Sequence, residues 1–61
     1  MLIELTELDG GIVLINADNI CEITRPRPTL DQTNAHSVVI MVNGSRHQVK
    51  EGMVEIRSKL K

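Results

Sequence analysis

The stretch Ser37-Val-Val-Ile-Met-Val-Asn-Gly-Ser-Arg-His-Gln-Val49 decides the fold. Five consecutive apolar residues, most of them β-branched, run into Asn43-Gly44, and a second short run follows. Asn-Gly between strand-like segments is the strongest short hairpin signal, because a type I′ turn needs positive φ at both central residues. A two-residue turn sets Val42 opposite Ser45, Met41 opposite Arg46, Ile40 opposite His47, Val39 opposite Gln48 and Val38 opposite Val49. Apolar residues then stand on both sides of the hairpin.

The segments before it carry the same chemistry. Ile3 and Leu5 alternate with Glu4 and Thr6, the period of a strand with one buried side, and Asp9-Gly10-Gly11 supplies a turn. Ile12–Ile15 and Ile20–Thr24 are β-branched runs of strand length. Between them stands Asn16-Ala17-Asp18-Asn19, whose side chains can accept backbone N–H groups two residues on and so make a bend without a ligand. A calcium loop there needs more acidic oxygens at alternate positions than Asp18 and Glu22 supply. From Pro26 to His36 two prolines fix φ and remove donors, which predicts a long loop. After Lys50, the residues Met53, Ile56 and Leu60 line one side of a short C-terminal helix. Glu51 suits the positive end of its dipole, and Gly52 weakens its first turn by up to ~1 kcal/mol.

The expected architecture is therefore β-rich α+β, one domain over residues 1–61: about five antiparallel strands, in a small sheet or half-open barrel, followed by one short helix. A core of this size rarely supplies more than ~3–5 kcal/mol without a disulfide, a metal or other chains. Cys21 is the only cysteine, which excludes an internal disulfide, and with His36 and His47 it lacks zinc-site spacing. Association with other chains remains. The helix can cover one apolar face, with Val38, Ile40, Val49, Val13, Ile15, Ile3 and Leu5 beneath it. The other face, Ile12, Leu14, Val39 and Met41, is expected to be the contact of a homo-oligomer.

Composition narrows the function classes. The N-terminus carries acids in place of a basic leader segment, and no apolar run reaches the ~18 residues of a membrane span, so a cytoplasmic protein without membrane insertion is expected. Asn43-Gly44-Ser45 has the spelling of a glycosylation sequon, but in that setting it is a turn. With no Phe, Tyr or Trp, base stacking on aromatic rings is closed, which disfavours a nucleic-acid partner. Cys21 in an apolar strand is expected to be an inert small hydrophobe, and no serine or glycine motif supports catalysis, so no enzyme, cofactor or metal is expected. His47 is expected to be a partly buried core residue. Charge is divided unevenly: residues 1–24 hold Glu4, Glu7, Asp9, Asp18 and Glu22 with no base, a charge of −5, whereas seven bases less three acids give +4 over residues 25–61. The halves can attract each other within the fold or across an interface, and the basic half could meet an acidic protein partner.

Two resemblances bear on function. Leu5-Thr6, Leu8, Gly10, Asn16-Ala17-Asp18, Ile20, Ile23, Asn43-Gly44 and Val49-Lys50-Glu51 together make the chain resemble the small flagellar FlbD (SwrD-type) family over nearly its whole length. That resemblance implies an adaptor associated with flagellar motility, or a related small protein of a mobile element, with no catalytic residues. The Pro26–His36 loop is longer and richer in proline than in that family, and Gly52 replaces a better helix former. The opening Met1-Leu2-Ile3, the size and the five strands plus helix are also similar to the carbon storage regulator family, intertwined dimers that bind RNA. The implied contacts are Lys50 and Arg46, and the implied function is a small dimeric RNA-binding regulator. The principal expectation is a non-enzymatic, self-associating interaction module.

Overall fold

The computed structural model describes residues 1–61 and contains five strands, a short 3-10 turn and one helix. The strands are β1 (Leu2–Thr6), β2 (Ile12–Asn16), β3 (Ile20–Thr24), β4 (Ser37–Met41) and β5 (Arg46–Val49), followed by α1 (Met53–Lys59). They form two small antiparallel sheets, β1-β2 and β3-β4-β5, which do not close into a barrel. The expected fold class is the observed one.

The sheets meet where β1 ends and β5 ends. Glu7 bridges Val49, the Lys50 amide donates to the Thr6 carbonyl at 2.9 Å, and the Glu51 carboxylate accepts from the Thr6 amide at 2.9 Å and its hydroxyl at 2.7 Å. Burial pushes the Glu51 carboxyl up, but the two Thr6 donors, its own backbone amide and the charge of Lys59 together hold the group below the usual carboxylate range. Glu51 therefore ties two sheets together; it does not cap the helix, whose N-cap is Gly52. At φ −76° and ψ 166° Gly52 stands in extended backbone outside the helix, so the expected weakening of the first turn does not arise.

Asn16–Asn19 forms the expected bend. Ala17–Asn19 makes a 3-10 turn in which the Asn16 side chain accepts the Asp18 amide at 3.1 Å. Both hairpins use one turn design. The Gly10 amide donates to the Glu7 carbonyl, Glu7 donates to Gly11, and the Asp9 side chain accepts from the Gly11 amide. Gly44 donates to Met41, Met41 to Ser45, and the Asn43 side chain accepts from Ser45. Only Gly10 (φ 94°) and Gly44 (φ 91°) adopt positive φ, so each loop has three residues and ends in a left-handed glycine, with no type I′ turn.

This corrects the register of the second hairpin. With three loop residues, Val39 faces His47, Val38 faces Gln48, Ile40 faces Arg46 and Ser37 faces Val49. A one-residue slip exchanges the faces of β4 relative to β5. Val39 therefore joins Val49 in the core with Ile3, Leu5, Ile15 and Ile56, and Met41 packs partly buried against it. Val39, 0% exposed, cannot be the outward contact expected for it, and half-buried Met41 packs against the core side of the sheet. Val38 is also fully buried and Ile40 half-buried, but on the opposite side of the three-stranded sheet.

That opposite side is covered by the chain itself. The Pro26–His36 loop folds over it through two contacts to outward β5 side chains. The Gln32 amide donates to the Gln48 side chain at 2.7 Å, and the Arg46 guanidinium pairs with Asp31 at 2.8 Å. Asp31 also accepts the Arg27 amide at 2.7 Å. That backbone donor and then the Arg46 guanidinium hold its carboxyl below the usual range, against the opposing effect of burial. His36 donates its amide to the Val49 carbonyl and leads directly into β4. The second apolar face of this sheet therefore has an intramolecular cover, where the sequence pattern alone predicts another subunit.

Candidate interaction face

Three exposed apolar side chains share one face of the two-stranded sheet. Leu2 pairs with Asn16, Glu4 with Leu14 and Thr6 with Ile12, and paired residues share a side. Ile3 and Ile15, with Leu5, point to the core; Leu2, Ile12 and Leu14 point outward and are 64%, 58% and 61% exposed. Of the four expected contact residues, Ile12 and Leu14 stand on this face, and Val39 and Met41 do not. Leu2, which is not among the expected contact residues, completes it. Its place could have been found by extending the alternation of Ile3 and Leu5 one residue backwards: Leu2 and Glu4 then fall on the side opposite the core.

Acidic groups lie on and around the face. Glu4 sits within it beside Leu14, and Asp9 and Asp18 stand exposed at the turns that end β1-β2 and follow β2. No ion pair joins an acid of residues 1–24 to a lysine or arginine; Asp18 has only the Met1 amino group, at 3.5 Å. The acidic and basic halves thus do not neutralise each other through direct ion pairs.

The remaining chemistry-bearing residues are dispersed. Cys21 lies in the expected strand, β3, but stands exposed at the irregularity between Ile20 and Glu22, not as the small hydrophobe of an apolar run. His36 is exposed, and His47 is half-buried opposite Val39, where Ile40 was the expected partner. No three His, Cys, Asp or Glu side chains gather to hold a metal ion. A hollow of about 250 Å³ lies in the Pro26–His36 loop, but Asp31 beside it has both oxygens engaged by Arg27 and Arg46. Arg46, one of two implied RNA contacts, is held in that pair, and Lys50, the other, is exposed. No helix is long and apolar enough to cross a membrane.

No family model matches the chain, and neither a curated protein nor a solved structure is similar to it. The class that can be stated is the architecture: a small α+β domain of five antiparallel strands in two open sheets with one terminal helix.

Proposed function

We propose that the protein is a non-enzymatic interaction module that associates with its own kind through the outer face of β1-β2. The observation that carries this reading is the side-by-side exposure of Leu2, Ile12 and Leu14 in a chain whose other sheet has its own cover. Isolated apolar side chains on a surface are ordinary, but three on one face of one hairpin form a patch of the kind that marks contact sites. The face is smaller than the one the sequence pattern suggests, because the register places Val39 inside. The alternative of a small RNA-binding regulator has less support: Arg46 is committed to Asp31, and no aromatic side chain is available for stacking.

Leu14→Lys tests the reading. At an exposed position the change should alter monomer stability by no more than ~0.5 kcal/mol. Sedimentation equilibrium of the wild type should show a concentration-dependent mass above 6.8 kDa, and Leu14→Lys should sediment as a folded monomer. A wild type that remains monomeric across the concentration range refutes it.

A further inference from the structure

We infer that two copies join by pairing the free edges of β2 about a two-fold axis, so that their hairpins form one continuous sheet in the order β1-β2-β2-β1. The inference rests on the self-association just proposed and specifies where the copies meet.

The backbone shows on which side β2 is open. The Glu7 amide donates to the Gly11 carbonyl and the Ala17 amide to the Met1 carbonyl, both at 2.7 Å, so at both ends of the hairpin the bonds between strands belong to odd-numbered residues. Antiparallel partners alternate between bonded and non-bonded pairs, and in this register Ile3 with Ile15 and Leu5 with Val13 are the bonded ones. Ile12 and Leu14 therefore turn their N–H and C=O groups away from β1. Thr6, opposite Ile12, agrees with the alternation: its N–H and C=O leave the hairpin on the other side, to Glu51 and Lys50. No strand lies beyond β2, and no turn or loop group takes the outward amides of Ile12 and Leu14.

The other open edges are blunted. β1 carries Glu4 at its centre, and β3 carries Glu22 and a register irregularity before running into Arg25-Pro26. β5 begins with Arg46 and ends at the Glu7–Val49 bridge. β2, Ile12-Val13-Leu14-Ile15-Asn16, has no charge, no proline and an unbroken register. Charges, prolines and bulges are what keep an edge from adding a strand, and an edge without them is a template for one.

A second β2 fits this template by symmetry. With the strands antiparallel about an axis at Val13, Ile12 of each copy stands opposite Leu14 of the other, and each pair exchanges both of its N–H···O=C bonds. Opposed residues share a side, so two side chains that are 58% and 61% exposed in the monomer cover each other. Half-buried Val13 meets its equivalent on the core side. A register shifted by two residues sets Ile12 against Asn16 and loses that match. The paired segment contains no charged side chain. Such an isologous contact closes at two chains.

Amide hydrogen exchange of the wild type, read by NMR at rising concentration while sedimentation equilibrium follows the mass, tests the pairing. The Ile12 and Leu14 amides should exchange fast in dilute monomer and slow in step with the dimer fraction, whereas the Glu4 amide, which points out of the opposite edge, should keep its rate. A synthetic full-length chain with N-methylated Leu14 keeps the side chain and lacks the edge donor. That amide holds no bond in the monomer, so the circular dichroism should be native, and the chain should stay at single mass where the wild type is dimeric. If the wild type assembles while both amides exchange as fast as in the monomer, or if the folded N-methylated chain assembles like the wild type, the edge pairing fails and association through the outer face stands. If the wild type stays monomeric at every concentration, both fail. Should the N-methylated chain misfold, exchange in the wild type decides alone.

Discussion

Removing the Glu51 carboxylate should weaken the domain measurably although the residue is only half-buried. The carboxylate accepts the Thr6 amide and hydroxyl across 45 residues of chain, so it connects the end of β1 to the end of β5 just where the sheets have only one bridging pair. Hydrogen bonds to a charged group contribute about 1.5–3 kcal/mol each when well shielded. Glu51 is half-buried and Gln can keep one acceptor, so Glu51→Gln should cost about 1–2 kcal/mol. With a urea slope near ~1 kcal/mol/M for so small a domain, the midpoint should fall by roughly 1–2 M. Thr6→Val, which removes the hydroxyl and leaves the amide, should cost ~1 kcal/mol, and the double variant should show a coupling of similar size, ~1 kcal/mol. The pH dependence has a definite sign. The native state binds the ionised form, so the folded pKa of Glu51 is lowered; its contribution is complete above the ordinary glutamate pKa and disappears as the pH falls through the lowered one. The difference between wild type and Glu51→Gln should be constant from neutral pH down to about 5 and close below about 4. A coupling indistinguishable from zero, together with a difference that persists unchanged in acid, would refute the clamp.

Five further substitutions probe the packing and the turns. Ile56→Ala removes the only fully buried side chain of α1 and should cost ~2–5 kcal/mol, enough to unfold much of the protein in water by circular dichroism, whereas Val54→Ala should lie within ~0.5 kcal/mol of wild type. Ser37 is fully buried and its hydroxyl has no partner, so Ser37→Ala should raise the urea-derived stability by up to ~1 kcal/mol; a loss of that size would reveal a bond the hydroxyl makes. Gly44→Ala meets no atom within 4 Å, and its cost of ~1–2 kcal/mol should come from the left-handed backbone alone, measurable as a lower thermal midpoint. Gly52→Ala, at negative φ, should lack that penalty.

Each strand, the bend and the helix were legible because each follows from local chemistry: alternation for β1, β-branched runs for β2 to β4, Asn and Asp side chains for the 3-10 turn, and prolines for the loop. The register of β4 on β5 was not. Asn-Gly suits a two-residue turn with both residues at positive φ, and equally a three-residue loop in which Asn43 keeps a negative φ and its side chain accepts the Ser45 amide. The sequence carries the analogous pair Asp9-Gly10, and both fold alike; nothing local separates the two options. What distinguishes them is tertiary. In the observed register Arg46 and Gln48 face the side where Asp31 and the Gln32 amide wait, and those partners lie 15 and 16 residues back. The helix was legible as an element and less so as a packing surface: Met53 and Leu60 remain partly exposed because a seven-residue helix rests one turn on the core.

The covered and uncovered faces explain each other. Two sheets with apolar residues on both sides cannot be roofed by one short helix, and the register determines which residues are left outside. Had the hairpin taken the two-residue turn, Val49 would share a side with Val38 and Ile40, and Arg46 and Gln48 would share the other with Met41 and Val39. The Pro26–His36 loop, whose polar groups seek Arg46 and Gln48, would then lie over Val39. The three-residue turn instead puts Arg46 and Gln48 beside Ile40 and Val38, so the loop that binds them also buries Val38 and leaves Val39 to the shared core. One slip of register thus assigns the lid, the core and the remaining exposure together. After that assignment no segment is left to cover the outer side of β1-β2, since both the loop and the helix are engaged elsewhere. Leu2, Ile12 and Leu14 stay open because the chain has already used each element that could have hidden them.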